Sequence, residues 1–139
     1  RRGGLSGQMD ALRSALMGHQ PVTLFPEGTT GDGTTLLPFK PTLLAVLLPP
    51  PRPVMIQPVY IDYGAAASDI AWIGDEPAVD NVLRILRRKG RLPMTIRFLA
   101  PFDPAKCADR KAIAALARDR IAASIAAHHH SSAPPLPPV

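Results

Sequence analysis

Glu27 stands between Pro26 and Gly28 in L-F-P-E-G-T-T-G-D-G-T-T-L-L-P-F-K, residues 24–40, the stretch of the chain richest in groups that can do chemistry. Glycine lets backbone N–H groups converge on an oxyanion, threonine hydroxyls add donors, and a lysine adds a cation. The amides of Gly28, Thr29 and Thr30, with Lys40 beyond them, are therefore candidate donors to a phosphate. Two other accounts compete. Gly28 and Gly33 have the spacing of a nucleotide-binding G-x-x-x-x-G pair, but Thr34 stands where the phosphate-binding lysine is required. Asp32-Gly33 is also an ordinary turn dipeptide, although a turn alone leaves Glu27 unexplained.

The remaining reactive side chains are scattered. His19, His128, His129 and His130 have no aspartate five residues downstream, so no His–Asp pair of that spacing exists in the chain. Cys107 has no histidine near it in sequence, and as a single cysteine it excludes an internal disulfide or a cysteine-based zinc site. The triple histidine has no second ligand cluster, so no metal is expected.

The elements that must position the loop follow from periodicity. Leu5, Met9, Leu12 and Leu16 mark an amphipathic helix closed by Gly18, and the apolar run Pro21–Phe25 is expected to be a buried strand leading into the loop. Pro41–Leu48 is a short buried helix, and Pro49–Pro53 a stiff connector. Val54–Tyr63 is strand-like, with Pro58 demanding an edge or a bulge. Ile70–Ile73 is a possible short strand, Ala78–Lys89 a helix, Met94–Leu99 a strand, and 109–127 a long helix with Asp109 as its N-cap. This alternation predicts an α/β fold with a mixed, largely parallel sheet flanked by helices over residues 1–127. Residues 128–139, rich in His and Pro, are expected to form a disordered tail.

With 139 residues, 46% of them hydrophobic, the chain can build one core. A formal charge of +5 favours anionic partners or simply solubility. Arg84, Arg87, Arg88, Lys89 and Arg91 cluster at one helix end, where they can complement the helix dipole or dock on anionic headgroups. No apolar run is long enough to span a bilayer, and no signal peptide is visible.

Phe25-Pro26-Glu27-Gly28-Thr29 resembles the third sequence block of the lysophospholipid acyltransferase family, relatives of 1-acyl-sn-glycerol-3-phosphate acyltransferase. Ile56–Ile61, with its internal Pro58 followed by Val59, is similar to the fourth block; Trp72–Glu76, Ile96–Pro104 and Asp109–Ala117 resemble the C-terminal half of bacterial members. The resemblance implies transfer of a fatty acyl group from acyl-CoA or acyl carrier protein to a lysophospholipid hydroxyl, with no cofactor and no nucleic-acid partner. It also implies a membrane surface as partner, at the cytoplasmic face of a bacterial inner membrane. Glu27, Gly28, Thr29, Thr30 and Lys40 would bind the acceptor, Glu27 by bonding a glycerol hydroxyl or by fixing the loop amides.

The family's catalytic H-x-x-x-x-D precedes F-P-E-G-T by more residues than this chain holds, and Arg1 or Arg2 would be the last residue of the second block. The expectation is a chain truncated at its N-terminus, inactive by itself, with Arg2 at the acceptor site. Thr30 stands where many members carry a phosphate-binding arginine, which weakens the case for lysophosphatidic acid and leaves room for another acceptor, such as a lyso-ornithine lipid or a lysophospholipid with a larger headgroup. The alternative from another class is a non-enzymatic α/β module that binds phosphate or anionic lipid through the same loop.

Overall fold

The computed structural model describes residues 4–18 and 20–131. Along the chain lie α1 (Leu5–Met17), a 3-10 helix (Leu43–Leu47), β1 (Val59–Asp62), a 3-10 turn (Gly64–Ala66) running into α2 (Ala67–Ile70), α3 (Ala78–Leu86), β2 (Thr95–Phe98), a 3-10 turn (Pro104–Lys106) and α4 (Arg110–Ser131). None of the described helices is long and apolar enough to cross a membrane.

The core forms where α1, the 43–47 helix and α4 meet. Leu12, Leu44, Val46, Leu47, Phe102, Ile113 and Ala114 make one buried cluster, with Ile113 and Val46 fully enclosed. Leu12 and Ile113 are apolar positions expected from helical spacing, and burying the cluster supplies the main drive for folding. Arg120 lies over the Phe102 ring, 5.0 Å from its centroid, sealing one side. Asp109 caps α4 by accepting from the Ala112 amide at 2.8 Å. Arg52, in the proline connector, caps the other end of the core: it donates to the last carbonyls of α1, Leu16 O and Gly18 O.

β1 and β2 pair antiparallel, Val59 opposite Phe98 and Ile61 opposite Ile96. Further along, Ile56 and Phe102 exchange both backbone bonds, Ile56 N to Phe102 O at 2.9 Å and Phe102 N to Ile56 O at 2.8 Å. Two residues separate Ile56 from Val59, but three separate Phe98 from Phe102, so the second strand bulges. Pro58, which has no N–H to donate, sits buried at that irregularity, and its carbonyl accepts from Leu99 N at 3.0 Å. The ladder is thus irregular at Pro58, where an edge or a bulge is expected, with the extra residue in the partner strand. Among the described residues the sheet has only these two antiparallel strands.

Other elements differ from expectation. Pro21–Phe25, expected to be a buried strand, has no regular secondary structure and is largely exposed, Phe25 to 79%; no described strand pairs with it. Of Ile70–Ile73, expected as a possible short strand, Ile70 ends the short helix α2 and residues 71–73 form no strand; Arg84 binds the carbonyls of Asp69 and Ala71 there. Residues 128–131, expected to belong to a disordered tail, instead continue α4 through Ser131, with His128 Nδ1 2.6 Å from Ser124 O. The preceding A-A-S-I-A-A run is a good helix former and carries the helix past the expected boundary. Residues 132–139 lie outside the described residues.

Candidate acceptor-binding site

The loop after Phe25 is held by its own backbone before any ligand is considered. Phe25–Gly28 forms a turn closed by Gly28 N donating to Phe25 O at 3.1 Å, with Gly28 at φ +68°, a conformation that favours glycine. The returning end is pinned by Lys40 N donating to Pro26 O at 2.8 Å. Between them, Glu27 crosses the loop: its Oε2 accepts from the Leu37 amide at 2.9 Å. Glu27 thus fixes one amide of the returning segment, that of Leu37. Its Oε1 has no partner among the described residues.

A second strut comes from far along the chain. Arg118 on α4 donates to Leu36 O at 3.0 Å and to Leu37 O at 3.3 Å. Leu37 is thus held through its N–H by Glu27 and through its carbonyl by Arg118. At the loop tip, Asp32 Oδ1 accepts from the Thr34 and Thr35 amides at 2.8 and 2.7 Å, and Oδ2 from the Thr35 hydroxyl at 3.0 Å. Those donors, the Thr34 amide foremost, hold the Asp32 carboxyl down at about 2. Gly33, at φ +76°, lies against α2: a Cβ there would come 2.7 Å from the Ala67 carbonyl oxygen.

The sequence-predicted site residues divide three ways. Glu27, Thr29, Thr30, Pro58 and Val59 line one cleft of about 1400 Å³, whose floor is the apolar core. Gly28 and Lys40 lie together at the loop's shoulder. A Cβ on Gly28 would come 3.1 Å from Lys40 Nζ, so the lysine packs closely against this glycine. Lys40 makes no ion pair among the described residues, and the Thr29 and Thr30 amides have no backbone partner among them. The Gly28 amide, by contrast, is spent inside the turn. Arg2 lies outside the described residues. Chemically, the loop offers two amides, two hydroxyls, one cation and one carboxylate oxygen at the rim of an apolar cleft.

Arg118 and Asp32 carry the loop yet escape sequence reasoning. Asp32 could have been found, since D-G-T-T is an Asx-turn pattern. Arg118 leaves no local signal, because its partners are more than eighty residues away.

Comparison with known proteins adds the decisive observation. The chain is 32% identical over 137 residues to a lyso-ornithine lipid O-acyltransferase of Brucella abortus, and 34% identical over 128 residues to one of Rhizobium meliloti. These alignments take in 88% and 82% of this chain, and 51% and 44% of the relatives. A lyso-ornithine lipid O-acyltransferase of Rhodobacter capsulatus is 32% identical over 104 residues, 70% of this chain and 37% of the relative. Over most of its length the chain is thus similar to lyso-ornithine lipid O-acyltransferases, which is consistent with a fragment of a lysophospholipid acyltransferase. It spans about half the length of the curated relatives it matches. No family model and no solved structure matches it.

Proposed function

We propose that the 24–40 loop is the acceptor-binding part of an acyl-transfer site. In this proposal the complete protein moves a fatty acyl group from acyl-CoA or acyl carrier protein to the hydroxyl of a lyso-ornithine lipid. The observation that carries the proposal is the F-P-E-G-T turn, braced by Glu27 and Arg118, with uncommitted donors and Lys40 beside an apolar cleft. An ornithine headgroup presents one carboxylate and one ammonium. Lys40 and the Thr29 and Thr30 amides suit the carboxylate, and Glu27 Oε1 suits the ammonium or a hydroxyl. A phosphate monoester carries more negative charge, and Thr30 leaves only one cation in the described loop to meet it. The names of the relatives support the same acceptor.

A cleft of about 1400 Å³ exceeds the roughly 300–1,000 Å³ of ordinary small-molecule sites. We assign it to the acceptor's hydrocarbon chain together with further strands of a mixed sheet, of which Pro21–Phe25 is one. The general base is the histidine of an H-x-x-x-x-D pair supplied by sequence outside these 139 residues, which hold no such pair. That histidine takes the hydroxyl proton as the oxygen attacks the thioester carbonyl; the C–S bond then breaks and the thiolate leaves, recovering a proton. The work takes place on the cytoplasmic face of a bacterial inner membrane.

The test joins the chain to its upstream coding sequence and follows labelled acyl-CoA or acyl carrier protein into a panel of lysolipids. Acylated ornithine lipid is the expected product. Acceptor binding without transfer to any lysolipid would instead favour a non-enzymatic lipid-binding module.

A further inference from the structure

Helix α3 is mounted inside out. Val79, Val82, Leu83 and Leu86 recur at spacings of three and four and form its apolar stripe. In a soluble domain that stripe faces the core, yet here it faces outward, with Val79 67% and Leu86 73% exposed. The inward face carries one apolar residue, Ile85, which lines the cleft; the rest of it is polar. Asn81 is 6% exposed and donates to Ala71 O and to Glu76 Oε2. Arg84 binds Glu76 at 2.9 Å and the carbonyls of Asp69 and Ala71, and Arg88 pairs with Asp69. Six polar contacts thus fix the helix with its hydrophobic side turned away from the body of the protein.

The charges around the helix end say what covers that side. Two of the five clustered cations, Arg84 and Arg88, are consumed by the clamp. Arg87, Lys89 and Arg91 are exposed and make no ion pair among the described residues. Leu92 and Met94, directly after them, are exposed as well. A buried protein contact would have to desolvate three unpaired cations, whereas an anionic lipid surface accepts hydrocarbon and positive charge side by side.

The geometry points to α3 and the 87–94 segment as a docking face for an anionic membrane, with the Val79–Leu86 stripe entering the acyl boundary and Arg87, Lys89 and Arg91 meeting headgroups. The assignment deepens the proposal that the protein works on a membrane lipid. It is tested without lysolipid or acyl donor, so the two can fail separately.

The test is co-sedimentation of the 139-residue chain with phosphatidylcholine vesicles, with and without 30% phosphatidylglycerol. Binding is expected only to the anionic vesicles. At about 1 kcal/mol, or roughly 5-fold, per cation at the surface, the triple change R87Q/K89Q/R91Q should weaken binding about 100-fold. Leu86→Glu should weaken it at least about 10-fold and, at an exposed position, leave the thermal melt unchanged. Phe98→Glu, on the exposed apolar face of β2, should bind as the parent does. No vesicle binding, or binding lost through Phe98→Glu and kept by the α3 changes, would overturn the assignment. So would a dimer in solution that Leu86→Glu dissociates, since a second copy would then cover the stripe.

Discussion

Removing the Glu27 carboxylate separates its two oxygens by function. In Glu27→Ala the half-buried Leu37 amide loses a charge-assisted acceptor at 2.9 Å. Such bonds contribute about 1.5–3 kcal/mol; partial solvent access at this site brings the expected loss to about 1–2 kcal/mol. For a chain of 139 residues, each kcal/mol corresponds to roughly 3–4 °C in midpoint, so the variant should melt about 3–7 °C lower. Glu27→Gln keeps a carbonyl oxygen that can face Leu37 N, and should melt within about 2 °C of the parent. Its NH₂ then replaces Oε1 and cannot accept a hydrogen bond, so acceptor affinity should fall even though the fold survives. Paired thermal melts by circular dichroism and lysolipid titrations read both effects. Equal melting of Ala variant and parent would refute the strut, and unchanged lysolipid affinity in the Gln variant would refute a role for Oε1.

The other expectations concern the same loop. Gly33→Ala puts an L residue at φ +76° with its Cβ 2.7 Å from the Ala67 carbonyl oxygen, and should cost about 2 kcal/mol or more in chemical denaturation. Gly31→Ala meets nothing closer than the Leu37 side chain at 3.4 Å and should stay within about 0.5 kcal/mol. Arg118→Leu deprives two loop carbonyls of their donor; a loss of about 1–3 kcal/mol and faster proteolytic cleavage within 28–37 should accompany it. The Asp32 carboxyl is held at about 2 against an ordinary 3.8, so its contribution is full above pH 4 and is lost as pH falls from 4 through 2. Asp32→Asn should remove that part of the acid slope, and a carboxyl titration by NMR should place the midpoint near the lower value.

The legible parts of this fold are those set by local rules. Asp109 announces the start of α4, the Ala78–Leu86 stripe announces α3, and Pro58 announces an irregular strand; each is present. What periodicity cannot convey is which way a stripe faces. The α3 stripe looks like a core face until the polar clamp of Asn81, Arg84 and Arg88 is seen to hold it outward. Pro21–Phe25 has strand composition, but a ladder needs a neighbour, and none of the described strands lies beside it. At the site, F-P-E-G-T marks the loop from local sequence, and Lys40 was within reach because chain and space run together there. Arg118 was out of reach because its partnership with Leu36 and Leu37 exists only in three dimensions.

The most direct test of the acceptor-loop account is a competition between two headgroups. Lyso-ornithine lipid and lysophosphatidic acid of equal chain length would each be titrated into the chain below their micelle concentrations, for the parent, Lys40→Gln and Thr30→Arg. Tighter binding of lyso-ornithine lipid by the parent is expected, with loss in Lys40→Gln and a shift toward lysophosphatidic acid in Thr30→Arg. No lysolipid binding by the parent, or affinities indifferent to both substitutions, would contradict the assignment of this loop to the acceptor.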